Sequence, residues 1–380
     1  MNGLVYLDNS AATRCCDRAL QLMNEAAAQF GNPSSLHGLG LEAEDWLTRT
    51  RRALAAALGA SADEIGFTSG GTESNNLALF GAVSGHRRGH IVAGATEHDS
   101  VLEPLKQLAQ RGFTLTLVPP DASGVVSAER LTAALTAETV LVCLMAVNNE
   151  TGAIQQAAFI RRALQAAGAR ALIHCDAVGA LGKQPVTAAG TGADLISLSA
   201  HKMHGIKGAG ALYIKKGVRI PPLLLGGSQE RGRRAGTEAV PAIAGWLGAL
   251  EEMDIPKHAA HAQMLKARLL AGLPAVNGRL NAETDFPYLV NISIPGYKSE
   301  TMLHFLNSRG IYVSSGSACA KGKRSHVLQA QGLVPDRADS ALRISFSRYN
   351  TAAEVDALLE ALGEMPAHIA GVGRTIDRKS

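Results

Sequence analysis

A lysine that follows an apolar run is the first residue in this sequence that suggests chemistry. Lys202 comes directly after the segment Leu195–Ser199 and stands among small residues, between His201 and His204. Burial and neighbouring cations lower the pKa of a lysine, and a neutral amine attacks a carbonyl to form a Schiff base. The two histidines could instead indicate a metal site, but no carboxylate lies at ligand spacing, so the sequence favours the amine nucleophile.

A carboxylate and a glycine turn follow two other apolar runs. Asp176 ends the run 171–176, where a buried carboxylate needs a partner. It could cap the next helix, or it could pair with a protonated ring nitrogen of a cofactor. The turn Thr68–Ser74 lies between a predicted strand and a predicted helix, where free N–H groups and the helix dipole can hold a phosphate. A Ser/Thr-rich helix start followed by Glu is also common without any ligand, so neither feature decides alone.

The fourth candidate is a cysteine in a loop of small residues. Cys319 ends the segment Ser314–Cys319 and is followed by Lys321, Lys323 and Arg324. Such surroundings lower the pKa of a thiol and keep it exposed, which is typical of a reactive thiolate. A lone cysteine is more often an inert core residue, as we expect for the cysteines inside predicted strands.

Together these features point to pyridoxal phosphate as the cofactor. This cofactor needs an anchor for its phosphate, a carboxylate at its pyridine nitrogen and a lysine at its aldehyde. The glycine turn, Asp176 and Lys202 offer these groups in order along one run of alternating strands and helices.

The elements that must position these residues follow from the hydrophobic pattern. Short apolar runs alternate with amphipathic stretches from about residue 60, which predicts a mostly parallel, seven-stranded sheet sandwiched by helices. Ligands bind at the carboxyl ends of the strands in such sheets. The predicted strands are Ile65–Thr68, His90–Ala93, Thr114–Val118, Val140–Met145, Ala171–Cys175, Leu195–Ser199 and Ala211–Ile214.

The pattern changes after about residue 255. A long helix over Lys257–Leu273 precedes strands over Leu289–Ile294, Ile311–Ser314 and Leu342–Ser347, which indicates a smaller α/β domain. We therefore predict a large cofactor-binding domain over residues 15–255. Residues 1–14 and 256–380 form the smaller domain, which carries the cysteine loop.

Composition excludes several classes of protein. The 380 residues are 46% hydrophobic and 18% charged, so the chain can bury a core and is not disordered. A net charge of +4 without a long basic run argues against nucleic acid as a primary partner. No apolar run approaches the length of a membrane span, the first residues lack a signal-peptide pattern, and the five irregularly spaced cysteines suit a reduced, cytoplasmic protein.

Short segments spread over nearly the whole chain carry a family resemblance. They are 6–13, 31–37, 68–74, 96–98, 147–152, 199–202, 230–237, 314–319 and 342–345. On these segments the sequence resembles the cysteine desulfurases, in the class V aminotransferase group of fold-type-I pyridoxal phosphate enzymes.

The resemblance implies a role for each matching residue at the cofactor. Lys202 would be the Schiff-base lysine, Asp176 would pair with the pyridine nitrogen, and His98 would stack on the ring and help to move protons. Asn149 would lie near the phenolic oxygen of the cofactor. The residues implied to hold its phosphate are Gly71, Thr72, Ser199 and His201, with Thr237 reaching it from the other subunit of a homodimer.

The resemblance also implies a reaction. Arg343 would bind the carboxylate of L-cysteine, and Cys319 would attack the substrate sulfur, which yields L-alanine and a persulfide on Cys319. The sulfur would pass to an acceptor or scaffold protein for iron–sulfur cluster assembly or for thiolation. A selenocysteine lyase or another class V aminotransferase is the alternative enzyme, and a non-catalytic, partner-binding paralogue is the alternative of another class.

Two positions depart from the family pattern. Gly179 stands where the family commonly has a glutamine that donates a hydrogen bond to the phenolic oxygen of the cofactor. The stretch after Cys319 is slightly shorter and more basic than in housekeeping members, which leaves the sulfur acceptor open.

Overall fold

The computed structural model describes residues 4–315, 324–369 and 371, so that Cys319 lies outside the described residues. The strands are β1 (Val5–Tyr6), β2 (Ile65–Thr68), β3 (His90–Gly94), β4 (Thr114–Val118), β5 (Thr139–Cys143), β6 (Leu172–Asp176), β7 (Leu195–Ser199), β8 (Gly210–Ile214), β9 (Arg279–Leu280), β10 (Leu289–Ser293), β11 (Ile311–Tyr312) and β12 (Ala341–Ser345). The helices are α1 (Asp17–Ala28), α2 (Gly38–Leu58), α3 (Gly71–Ala82), α4 (Asp99–Gln110), α5 (Ala128–Ala134), α6 (Ile160–Ala166), α7 (Ala188–Thr191), α8 (Val240–Glu251), α9 (Ile255–Gly272), α10 (Ser299–Ser308), α11 (His326–Ala330), α12 (Pro335–Asp339) and α13 (Ala352–His368).

A seven-stranded sheet forms the centre of the molecule, which confirms the predicted fold class. Its strand order is β2-β8-β7-β6-β5-β3-β4, and all neighbours are parallel except those of β8, which runs antiparallel to β2 and β7. Strands β2, β3, β7 and β8 are buried along their whole length because helices cover both faces of the sheet.

Two smaller sheets contain the strands near the two ends of the chain. Strand β10 pairs antiparallel with β12 and β9, while β1 pairs parallel with β11. Asp8 then forms an isolated bridge with Ser345, so the first residues join the last strand. The division into residues 15–255 and residues 1–14 with 256–380 stays a prediction.

The long helix α9 begins two residues earlier than its hydrophobic pattern predicts. Asp254 caps it by accepting a hydrogen bond from the Lys257 N–H (3.1 Å), and Pro256 fits the first turn, where its missing N–H costs nothing. Among the described residues, no helix is both long and apolar enough to cross a membrane.

Candidate active site

The carboxyl edge of the large sheet collects most of the residues singled out in the sequence. Asp176 is the last residue of β6 and Ser199 the last of β7, while His98 and Asn149 follow β3 and β5. Gly71 begins α3 just after β2, whose carboxyl end lies at the same edge because β2 runs parallel to β7.

The turn before α3 leaves the start of that helix open to a ligand. No side chain caps the helix, so the N–H groups of its first turn, including those of Gly71 and Thr72, remain free to hold an anion. A Cβ on Gly71 would lie 2.6 Å from a methyl carbon of Val178, and a Cβ on Gly210 would lie 2.5 Å from the Gly70 Cα. The glycines therefore allow the turn to approach β8 and the loop after β6 closely.

Asp176 is buried and is held by neutral donors. Its side chain is 4% exposed, and its Oδ1 accepts the Val178 N–H (2.9 Å) while its Oδ2 accepts Asn75 Nδ2 (2.8 Å). The bond to Val178 lies within the turn after β6, and the next helix, α7, is capped by Thr187 and not by Asp176. Since no lysine or arginine of the described residues forms an ion pair with Asp176, its charge suits a protonated ring nitrogen.

A hydrogen-bonded chain connects Asp176 to His98. The second N–H of Asn75 Nδ2 reaches Ser100 Oγ (2.8 Å), which lies 2.8 Å from His98 Nδ1. The Ser100 backbone N–H also donates to His98 Nδ1 (3.1 Å), so a neutral His98 carries its proton on Nε2. Neither Asn75 nor Ser100 was predicted from the sequence. Asn75 lies four residues after Gly71, about one helical turn, and Ser100 lies two residues after His98, so their closeness to predicted site residues was the available signal.

The N-terminal segment holds the lysine loop in place. Lys202 Nζ donates to the carbonyl oxygens of Ser10 (2.6 Å) and Ala11 (2.9 Å). Thr13 Oγ1 donates to the His201 carbonyl (2.8 Å) and accepts the His204 N–H (2.7 Å). The lysine loop is thus positioned by residues that precede it by more than 180 positions.

His201 lies beside Ser199, the residue with which it is predicted to share a phosphate. Its Nδ1 is 2.9 Å from Ser199 Oγ. Burial, with Lys202 close by, lowers the pKa of His201 to about 4. The imidazole is therefore neutral near neutral pH and can offer a phosphate a hydrogen bond but no full charge.

Arg343 presents a fixed guanidinium at the same edge. The side chain is 3% exposed, and it donates to Asp8 Oδ1 from Nη2 (2.8 Å) and to the Asn149 carbonyl from Nη1 (3.1 Å). Its Nε is buried and has no partner among the described residues. Asn149 contacts Arg343 through its backbone and not through its side chain. The same carbonyl oxygen also accepts a hydrogen bond from Ser10 Oγ (2.9 Å).

The described residues on both sides of the Cys319 segment are attached to this site. Ser314 exchanges two backbone hydrogen bonds with Arg343 (2.6 and 3.2 Å). On the other side, Ser325 Oγ donates to the buried carboxylate of Glu150, and His326 Nε2 lies 3.0 Å from the Glu97 carbonyl oxygen. Both attachments lie beside residues of the predicted site.

The segment that contains Thr237 is anchored by a buried ion pair. Both carboxylate oxygens of Glu230 accept from Arg51 (2.7 and 2.8 Å), and one also accepts the Phe67 N–H (2.7 Å). Arg234 pairs with Glu73 in the first turn of α3 (3.0 Å), while Thr237 itself is exposed. Within this chain the structure therefore does not bring Thr237 together with the other predicted residues.

Replacing Arg51 by Met is expected to lower the free energy of unfolding by about 3–5 kcal/mol, because Glu230 would keep a buried charge without its partner. Urea unfolding of the purified variant measures this loss. Arg52→Met is the matched control, since Arg52 is the adjacent, exposed arginine on the same helix. Equal stability of the two variants would contradict the expectation.

Comparisons with known proteins agree with this geometry. The family model described as Aminotransferase class-V matches residues 5–358. A cysteine desulfurase of Cereibacter sphaeroides is 42% identical over 368 residues, covering 94% of this chain and 94% of the relative. The cysteine desulfurase IscS of Methanosarcina thermophila is 40% identical, covering 96% of this chain and 92% of the relative.

Solved structures show the same relationship. A NifS-like protein superimposes with a TM-score of 0.91 at 38% identity, covering 96% of this chain and all of the other (100%). SspA in complex with cysteine superimposes with a TM-score of 0.79 at 31% identity, covering 91% of this chain and 99% of the other. The family resemblance predicted from the short segments is confirmed: this chain belongs to the class-V aminotransferase family and, within it, to the cysteine desulfurases.

Proposed function

We propose that this protein converts L-cysteine to L-alanine with pyridoxal phosphate as cofactor and transfers the sulfur through Cys319 to an acceptor. The observation that carries the proposal is the meeting of Lys202, Asp176, the open start of α3 and Arg343 at one edge of the sheet. The names of the curated relatives support the same reaction.

The residues at the sheet edge fit the cofactor. Gly71 and Thr72 N–H groups, with Ser199 and neutral His201, would hold its phosphate, and buried Asp176 would bind its pyridine nitrogen. When bound, the cofactor withdraws electrons from the α-carbon of the substrate. Lys202 would hold it covalently through Nζ.

The other residues of the edge orient the cofactor and the proton carrier. The chain from Asp176 through Asn75 and Ser100 would fix the imidazole of His98 over the ring, with Nε2 free for proton transfer. Asn149 would lie beside the phenolic oxygen.

Arg343 would bind the substrate carboxylate. Asp8 and the Asn149 carbonyl hold the guanidinium plane, and the unpaired Nε needs an acceptor. A carboxylate is the acceptor that a planar guanidinium with a free Nε binds best.

Replacing Arg343 by Lys is expected to raise the KM for L-cysteine about 10- to 100-fold, because one charge-assisted hydrogen bond to the carboxylate is lost. Steady-state kinetics measures the change. L-Cysteine methyl ester, which has no carboxylate, is the matched control, and the KM for this ester should change little in the variant. An equal rise in the KM for the ester would show that Arg343 does not contact the carboxylate.

Cys319 would receive the sulfur. It lies four residues after Ser315 and five before Arg324, so the extended chain cannot carry it beyond about 14 Å from Ser315. Attack of its thiolate on the substrate sulfur forms an S–S bond and breaks the C–S bond of the substrate. The electron pair stays with the three-carbon product, which takes up a proton as alanine.

Exposed leucines beside the Thr237 segment support a homodimer. Leu223, Leu224 and Leu225 are 42%, 43% and 84% exposed, and the Leu224 carbonyl accepts the Ala235 N–H (3.3 Å). A second copy covering these leucines would bury apolar surface and bring its own Thr237 segment to this face. This proposal includes the expectation that Thr237 of the second copy contacts the phosphate of the cofactor.

Incubation of the cofactor-loaded protein with L-cysteine tests the function. We expect equal amounts of L-alanine and of sulfur, and a peptide containing Cys319 that is heavier by one sulfur atom in the mass spectrum. If the protein develops no visible absorbance with pyridoxal phosphate, or if it forms no alanine from L-cysteine, the proposal is overturned.

Replacing Gly179 by Gln is expected to tighten cofactor binding about 2- to 10-fold, the worth of one added hydrogen bond. An added Cβ would make one close contact, with the Val147 carbonyl oxygen at 3.3 Å, so the backbone there must yield slightly, and Gly179→Ala isolates the cost of that contact. The dissociation constant from absorbance titration measures the effect, with Gly179→Ala as the control. An unchanged constant would show that another group already supplies the donor.

A further inference from the structure

A fully buried glutamate stands directly before His98 and has no role in the proposed reaction. Glu97 is 0% exposed, and its Oε1 accepts the Met145 N–H (2.7 Å). Its Oε2 is buried and has no hydrogen-bond partner among the described residues. Burying a carboxyl group costs free energy, so the contact with Met145 must return a benefit elsewhere in the structure.

The contact with Met145 replaces a missing partner in the central sheet. The N–H groups on either side of Met145 donate to carbonyl oxygens of β6 (3.1 and 2.9 Å). Because N–H groups alternate along a strand, the Met145 N–H points the other way, toward β3, which ends at Gly94. The carboxyl group of Glu97 therefore supplies the acceptor that a longer β3 would otherwise provide.

The glycine that ends β3 leaves space for this contact. A Cβ on Gly94 would lie 3.1 Å from Glu97 Oε1, closer than ordinary van der Waals contact. The Glu97 N–H donates to the Gly94 carbonyl (3.3 Å), so the chain turns immediately after the strand. His98 follows this turn as the N-cap of α4.

The same turn is attached to the segment that carries Asn149. Asn148 Nδ2 donates to the Thr96 carbonyl (2.9 Å), so Glu97 and Asn148 together hold the turn at two points. His98 and Asn149 are both predicted to contact the cofactor ring. These two bonds fix the backbone of one relative to the backbone of the other.

The carboxyl group of Glu97 is largely neutral near pH 7. Burial raises the pKa of Glu97 to about 8; the Met145 N–H lowers it, and the charge of Asp176 raises it further. Since Oε1 accepts a hydrogen bond, the proton lies on Oε2. Glutamine has nearly the same shape and the same carbonyl acceptor, so it can replace a neutral glutamic acid here.

We propose that Glu97 is a positioning residue that acts through His98: its buried carboxyl group accepts the Met145 N–H and thereby fixes the turn that holds the imidazole at the edge of the sheet. None of its surface is exposed, so Glu97 itself contacts no ligand. The inference rests on the proposed function for the reaction in which His98 moves a proton.

Steady-state kinetics of three variants tests the inference. Glu97→Met leaves the Met145 N–H unpaired, and we expect it to lower kcat about 10- to 100-fold, while the KM for L-cysteine stays within about twofold because Arg343 is not part of the turn. Glu97→Gln should recover most of this loss. Glu103→Met, at an exposed position of α4, is the matched control and should keep the wild-type kcat. Full activity of Glu97→Met, or equal losses in Glu97→Met and Glu97→Gln, would overturn the inference.

A double-mutant cycle shows whether Glu97 acts through the histidine. In a His98→Ala background, Glu97→Met should lower kcat by no more than about twofold, because the group that it positions is already gone. If Glu97→Met lowers kcat by the same factor in both backgrounds, Glu97 acts independently of His98 and the inference is wrong.

Hydrogen exchange in the apoenzyme tests the contact without cofactor or substrate. Mass spectrometry follows the backbone amides of peptides that cover residues 94–101 and 141–147. We expect faster exchange in Glu97→Asp, whose side chain is one methylene group too short for the Met145 N–H, and wild-type exchange in Glu97→Gln. Unchanged exchange in Glu97→Asp would contradict the inference. This milder variant also takes the place of Glu97→Met in the kinetics if Glu97→Met does not fold. If the proposed function itself fails, no alanine forms in any variant, while hydrogen exchange still reports the contact.

Discussion

Replacing Lys202 by Ala is expected to abolish covalent binding of pyridoxal phosphate and to lower turnover of L-cysteine roughly a thousandfold or more. The amine is the group that would hold the cofactor, and among the described residues no other lysine donates to the Ser10 and Ala11 carbonyls. Borohydride reduction followed by mass spectrometry shows whether cofactor is attached, and alanine release gives the rate.

The fold should survive this change. Thr13 bonds to the backbone of His201 and His204, not to the lysine side chain, so the loop keeps its anchor. Lys216→Ala, at an exposed position after β8, is the matched control and should retain full activity. A Lys202→Ala variant that still binds cofactor covalently would assign the role to another amine.

Replacing Cys319 by Ala is expected to eliminate the enzyme-bound persulfide and to lower alanine formation about 100-fold or more, while cofactor binding stays unchanged. The thiolate would break the C–S bond of the substrate, but no contact assigned to the cofactor involves it. Mass spectrometry of the cysteine-treated protein detects the bound sulfur, and visible absorbance reports the cofactor.

Cys15→Ser is the matched thiol control. Cys15 is a half-buried free cysteine whose Sγ donates to the Gly205 carbonyl (3.3 Å), a bond that a serine hydroxyl can replace. The control should retain both bound sulfur and turnover. A Cys319→Ala variant with full alanine formation and full sulfur release would refute the persulfide step and leave the cofactor assignment intact.

The sequence predicts the parts of this site that depend on local pattern. Apolar runs bounded by polar residues locate β2 and β7 with their observed ends, because buried strands stop where the first polar group can reach a partner. The ends of β4, an edge strand with exposed residues, follow from its alternating pattern instead. Asp176 and Ser199 are visible for the same reason: each ends such a run.

Contacts between distant parts of the chain leave no local signal. Asn75 meets Asp176 across 101 positions, and Asp8 meets Arg343 across 335. Neither propensity nor spacing encodes such meetings.

The pairing of Asp8 with Arg343 also sets the order in which the protein can mature during synthesis. The carbonyls that accept from Lys202 precede it by more than 190 positions, whereas Arg343 and its strand follow it by about 140 positions and leave the ribosome later. A nascent chain can complete the large sheet while the N-terminal segment still lacks β11 and β12 to pair with. The complete site therefore forms only after β11 and β12 have been made and have paired with the N-terminal segment.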